Sequence, residues 1–353
     1  MTYPKHPTGA LWNSIQRWLL PALEDELGEL DEKHKLFIAA CELCVPRADL
    51  SVFEWVGNGC PPHSRLALLK AFVAKAVWDF ATTRGLIDAV RHRPALRRLC
   101  GWETLGDVPS ESTFSRAFDA FAGSELPRRI LAAVAGEHFE GRLVGHISRD
   151  ATAIEAREKP DSPKEEGGKR KKKTSRLPEQ LERGLEENLA DLPDACDWGC
   201  KSNSKGKVQY WRGYKLHLDV ADGDIPVSFI VTSASLHDSQ AAIPLAQMSA
   251  GRVASLYDLA DAAYDAKEIR GMAERLGHVA IIDHNPRKGE KTPFDPAEAE
   301  RYKQRSSVER VNSHLHEQHG GRHVMVRGAI KVAAHLGFGL IVIAAEQMFR
   351  MMS

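Results

Sequence analysis

Three acids stand where metal chemistry needs them. Asp150 lies in Ser148-Arg149-Asp150-Ala151-Thr152, and Asp261 in Leu259-Ala260-Asp261-Ala262-Ala263-Tyr264-Asp265. Glu309 lies in Arg305-Ser306-Ser307-Val308-Glu309-Arg310. Carboxylates that follow apolar strands can converge at one end of a sheet although they are remote in sequence. Mg²⁺ (or Mn²⁺) takes oxygen ligands and keeps part of its water shell. Two such ions ~3.5–4 Å apart activate the attacking oxygen and stabilise the leaving oxygen of a phosphodiester. Holding them beside a phosphate takes three or four negative charges. The competing reading of each acid is a cap or a salt-bridge partner.

Around Glu309 the spacing adds phosphate-handling groups. Tyr302, Arg305, Glu309 and His316 fall at i, i+3, i+7 and i+14, one face of a continuous helix. A guanidinium there can grip phosphate bidentately and a phenol can donate to it. Alternatively Arg305 and Glu309 form a surface pair worth about 0.3–0.5 kcal/mol. From Trp198 to Leu218 there is no acid, yet Lys201, Lys205, Lys207, Arg212 and Lys215 occur with Tyr210, Trp211 and Tyr214 among them. Charge interleaved with aromatics suits a phosphate backbone and an unstacked base. Trp211 and Tyr214 equally fit the core of a strand. Lys169-Arg170-Lys171-Lys172-Lys173, after Gly167-Gly168, reads as a mobile arm touching nucleic acid or as a plain linker. Arg322 and Arg327 could continue the basic track.

These residues need a scaffold. Residues 1–135 read as helices: Leu11, Ile15, Trp18 and Leu19 share a face, and apolar residues recur at three and four from Arg65 to Val90. Pro94 ends that run. Ser110 and Glu111 open the helix that carries Phe114, Phe118 and Phe121. Short helices with tight turns fit either a helix-turn-helix or a bundle without a DNA role. Near residue 140 the pattern changes. Leu143–Ile154 and Tyr214–Val220 alternate as strands; Asp222-Gly223 signals a hairpin returning as Val227–Thr232. Ser255–Ala260 and His278–Asp283 are further strands, separated by helices. Pro296 to about His316 and Lys331–Met351 are the closing helices. Residues 140–353 thus predict an α/β domain with a mixed sheet flanked by helices, ribonuclease H-like in order, carrying a basic insert at about 156–212.

Composition narrows the class. Lys+Arg and Asp+Glu both number 48, which excludes a uniformly basic nucleic-acid coat but not local basic patches. Six cysteines in 353 residues do not make a disulfide scaffold, and a reducing, cytoplasmic setting is expected. Cys41-x2-Cys44 has zinc-ligand spacing but sits in an apolar helical run, so buried free thiols are expected. No signal peptide is recognised, and the apolar run Ala333–Met348 is expected to be a core helix with no membrane role.

Taken together, the motifs resemble the DDE transposases of bacterial insertion sequences, in particular the branch with the signature Y-x2-R-x3-E-x6-K. Here Tyr302, Arg305 and Glu309 match, and His316 stands where the family has Lys. An imidazole can still donate to phosphate but is not reliably charged at neutral pH. Arg149–Ile154, Tyr210–His217 and Ala260–Asp265 are similar to the family's strand motifs, and Leu99–Arg116 to its N-terminal domain. The resemblance implies Mg²⁺-dependent cleavage at terminal inverted repeats and strand transfer, with Asp150, Asp261 and Glu309 as metal ligands. It also implies double-stranded DNA as partner and a homodimer in the DNA complex. An inactive DNA-binding relative and a metal-dependent nuclease of the same fold are the alternatives.

Overall fold

Alternation of apolar and polar side chains sets the strands. β1 (Leu143–Glu155), β2 (Asp197–Ser202), β3 (Val208–Ala221), β4 (Ile225–Ser233), β5 (Ala254–Ala260) and β6 (Val279–Ile282) form one mixed sheet. The computed structural model describes residues 7–53, 57, 61–160, 175–202, 208–286 and 290–352. Contacts divide the chain into two units. One comprises Phe139–Asn312 and Val326–Val332. The other comprises Met1–His138, Ser313–Met325 and Ala333–Ser353. The boundary expected near residue 140 is therefore met again after Asn312, and the last helix groups with the N-terminal helices.

In the sheet unit β1 runs antiparallel to β3 and parallel to β5, while β6 is parallel to β5 and β4 antiparallel to β3. The path β4–β3–β1–β5–β6, three antiparallel strands followed by two parallel ones, is the ribonuclease H-like arrangement. Gly223 and Asp224 turn the β3–β4 hairpin with positive φ, as a tight hairpin turn demands. At Gly213 β3 passes so close to β1 that a Cβ would lie 2.1 Å from the Ile154 carbonyl oxygen, so only glycine fits. Successive β1 side chains alternate faces. Arg149 points into the sheet's buried side and binds Asp219 bidentately at 2.8 and 2.7 Å. Ser249 donates to the same carboxylate at 2.7 Å. Burial opposes both charges; Asp219 nevertheless holds Arg149 firmly protonated.

The described part of the segment 156–212, where a basic insert was expected, carries regular structure. It holds two short helices (Leu177–Glu182 and Leu185–Ala190), strand β2 and the first residues of β3. Leu177 and Leu181 pack with Ile243, Ile269 and Met272, and Leu185, Leu189 and Leu192 pack against Ile230 and Leu245. Their apolar residues are sparse among charges, so periodicity missed them. β2 pairs with residues 208–213 of β3, and β4 with residues 214–221. The run Lys169–Lys173, with Lys205 and Lys207, lies outside the described residues.

The other unit is helical. The run predicted from Arg65 to Val90 is two helices, Arg65–Val77 and Thr83–His92, separated at Asp79 by a left-handed residue (φ 52°) and restarted by a Thr82 cap on the Gly85 N–H. Phe72 meets Phe114, Phe118, Phe121 and Phe338 in one aromatic cluster. Cys41, Cys44 and Cys100 are buried free thiols; burial pushes Cys44 and Cys100 up to about 12. The last helix, Ala329–Arg350, is long and apolar enough to cross a membrane, yet most of its apolar window is buried within the protein.

Candidate active site

Asp150 sits on β1 and Asp261 directly follows β5, its parallel neighbour. The Asp261 side chain caps the short turn Ala262–Tyr264 by accepting the Ala263 N–H at 2.9 Å through Oδ1. Its Oδ2 lies 3.7 Å from the Arg305 guanidinium. That guanidinium also donates in a short contact to Glu309 Oε1, and its charge acts on Asp150. Arg305 thus contacts two of the predicted acids, Asp261 and Glu309, and its charge also acts on Asp150. The second acid of the same motif, Asp265, is committed elsewhere: Arg270 binds it at 2.9 Å and the Asn285 N–H at 3.0 Å.

Burial pushes the Asp150 carboxyl up to about 6, and the Asp261 charge adds to the rise. Arg305, Lys201 and the Ala151 N–H work against it. Arg305 is held charged by Asp150 and Glu309 despite its own burial. Tyr264 is fully buried near Asp150 and Asp261, with no hydrogen-bond partner for its hydroxyl among the described residues.

Local structure places Arg305 in a turn. The predicted continuous helix is interrupted: helix Pro296–Tyr302, a 3-10 turn Lys303–Arg305 and helix Ser306–Gln318. The tighter turn changes the angular phase, so the single-face argument holds only in part. Ser148 donates to the Gln304 carbonyl at 3.1 Å, fixing the turn to β1 two residues before Asp150. Neither Ser148 nor Tyr264 emerged from residue spacing. The signal for Ser148 was its i−2 position, which puts it on the Asp150 face.

Tyr302 is half-buried against the Phe294 ring (centroids 4.7 Å apart), and burial pushes its phenol up to about 12. His316 is half-buried two turns beyond Glu309. Two predicted DNA contacts face inward instead. Trp211 is buried over Gly199 and spends its indole N–H on the Tyr214 carbonyl at 3.1 Å. Lys215 binds Asp238 at 2.7 Å and the Leu236 carbonyl at 2.8 Å. Trp211 alternates with the exposed Tyr210, as expected of a strand in which every second residue faces the core, whereas Lys215 lies between the buried Tyr214 and Leu216. The other face of the β2–β3 ribbon is open: Trp198 is 57% exposed and Tyr210 68%, with Arg212 opposite Trp198. Lys201 is exposed, as are Arg322 and Arg327.

The family model described as "Transposase DDE domain" matches residues 145–344, more than half of the chain and a span containing all three acids. The chain belongs to the DDE transposase family. A second model, "Transposase domain (DUF772)", matches residues 38–120 of this transposase, within its helical unit. No curated protein and no solved structure matches it.

An all-oxygen donor set of three carboxylates, with Asp150 and Asp261 half-buried, fits a hard divalent cation. In this transposase such an ion would be held by Asp150, Asp261 and Glu309, with Arg305 as the positive group that offsets their repulsion.

Proposed function

We propose that this transposase binds the terminal inverted repeats of an insertion sequence and performs strand cleavage and strand transfer through Asp150, Asp261 and Glu309. The observation that supports the reading is Arg305 in contact with both Asp261 and Glu309, with its charge acting on Asp150 as well. Mg²⁺ or Mn²⁺, when bound, supplies the Lewis acidity that phosphodiester chemistry requires. Arg305 and Tyr302 orient phosphate near the cut, Arg305 by its planar fork of donors. His316 donates to phosphate as an imidazole in place of the family's lysine. Trp198, Tyr210, Arg212 and Lys201 receive DNA beside Asp150, the aromatics by stacking and the cations by phosphate contact. Arg322 and Arg327, and the Lys169–Lys173, Lys205 and Lys207 cations, add to backbone attraction. Two element ends must be joined at once, so the DNA complex is a homodimer. The setting is the bacterial cytoplasm, where the DNA is.

The test is strand transfer from DNA carrying the element's own termini. Product is expected with Mg²⁺ and none with chelator. Cutting without joining, under conditions that support end binding, would favour a nuclease.

A further inference from the structure

A second set of ligand-type side chains lies outside the carboxylate site, wholly within the helical unit. His314 is four residues before the end of helix Ser306–Gln318, His319 follows that helix, and Glu346 is on the last helix. His314 Nε2 is 3.2 Å from His319 Nε2 and 3.3 Å from Glu346 Oε2; His319 Nε2 is 3.8 Å from the same oxygen. Three atoms bound at about 2.0–2.2 Å in a tetrahedral zinc site are separated by about 3.3–3.5 Å. The observed triangle is close to that.

The groups are also oriented as ligands. His319 Nδ1 lies 3.1 Å from the Ala76 carbonyl, which can only accept, so Nδ1 carries the proton. In the neutral ring Nε2 then presents its lone pair to the other two groups. A backbone carbonyl serving a ligating histidine in this way is the usual outer support of a metal site. Glu346 Oε2 is buried and faces the Nε2 atoms of both histidines.

The scaffold is built for close approach. Gly320, at φ 90°, ends the first helix immediately after His319. A Cβ on Gly339 would lie 2.4 Å from the His319 carbonyl oxygen, so glycine lets the last helix come up against His319. Gly339 and Glu346 are seven residues apart and share a helix face. A cleft of about 700 Å³, lined by Trp12, Glu317, His319, Glu346 and Arg350 among others, opens onto the cluster and leaves room for a water as fourth ligand. Arg350 is the competing cation, one turn from Glu346.

We infer that His314, His319 and Glu346 form a zinc site, separate from the carboxylate site, that pins the end of the Glu309-bearing helix to the last helix. The inference does not depend on the proposed chemistry at Asp150.

The test uses the full chain, stripped with chelator and titrated with Zn²⁺ by calorimetry, with Co²⁺ absorption as the spectroscopic readout. One equivalent should bind at micromolar affinity or tighter and raise the unfolding midpoint. His314→Gln and Glu346→Gln should each weaken it at least tenfold and alter the Co²⁺ spectrum, whereas Asp150→Asn should leave it in place. His314 and Glu346 are only partly buried, so these variants avoid removing the buried His319. Absence of zinc binding, equal binding in both variants, or loss in Asp150→Asn alone would overturn the inference; a histidine–histidine–glutamate hydrogen-bond chain would then account for the contacts.

Discussion

The Ser148 hydroxyl donates to the Gln304 carbonyl at 3.1 Å, tying the turn that carries Arg305 to the strand that carries Asp150. Ser148 is buried, and its partner lies 156 positions along the chain. The Gln304 carbonyl also accepts the Ser306 N–H, so removing the Ser148 bond frees the turn from β1 without stranding the carbonyl. Ser148→Ala is expected to lower kcat for end cleavage about 10-fold or more, with end-binding affinity unchanged. Ser148→Thr, which keeps the hydroxyl, should restore part of the loss. Equal kcat in the alanine variant would show that the bond does not position the site.

Asp150 is costly to keep ionised. Its carboxyl titrates at about 6 against 3.8 in an unfolded chain, because burial disfavours the anion. The folded state holds the proton longer, so stability falls as pH rises from about 4 to 6. Asp150→Asn removes that cost and should stabilise the ion-free protein by about 1–3 kcal/mol at pH 7. Added Mg²⁺ should raise the unfolding midpoint of the wild type more than that of the variant. Thermal unfolding with and without Mg²⁺ reads both effects.

Lys75 offers a second pH dependence. It is buried, with Nζ 3.4 Å from His335 Nδ1, and burial pushes it down to about 8 from 10.5. Below pH 8 the folded protein carries a costly charge. Between about 8 and 10 the unfolded chain binds a proton that the folded one has released, so this group adds stability as pH rises. Lys75→Met should be more stable than wild type by about 1–3 kcal/mol at pH 7. The gap should close towards pH 10. Denaturant unfolding at the two pH values checks the sign.

The exposed face of the β2–β3 ribbon makes a separate prediction. Trp198→Ala and Tyr210→Ala should each weaken binding of element-end DNA by about 1–3 kcal/mol if a base stacks on the ring. Arg212→Ala should instead reduce the salt dependence, lowering the slope by about 1. Trp211→Ala should act through stability, because that ring is buried over Gly199. Fluorescence anisotropy across a salt series separates these outcomes.

Strand positions were readable from alternating side-chain types in Leu143–Ile154 and from the short apolar run Ser255–Ala260, although burial along both strands alternates only in part. The three acids could be placed because each follows or interrupts an apolar strand, or falls in a spaced helical motif. The inward turn of Trp211 and Lys215 depends on the register against β2 and β1, which composition does not encode. The 3-10 turn at Lys303–Arg305 escaped because nothing in Lys303-Gln304-Arg305 breaks a helix; its contact with Ser148 is tertiary. The histidine cluster escaped for the same reason: Glu346 meets His314 and His319 only once the last helix packs through Gly339.

The central claim is that Asp150, Asp261 and Glu309 act as one unit, and cleavage of element-end DNA in Mg²⁺ by single and paired variants tests it most directly. Asp150→Asn, Asp261→Asn and Glu309→Gln should each reduce the rate by about 10³-fold or more while still binding DNA, and any pair should be no slower than the slower single variant. A single variant that cuts at near wild-type rate, or losses that multiply independently in the pairs, would contradict it.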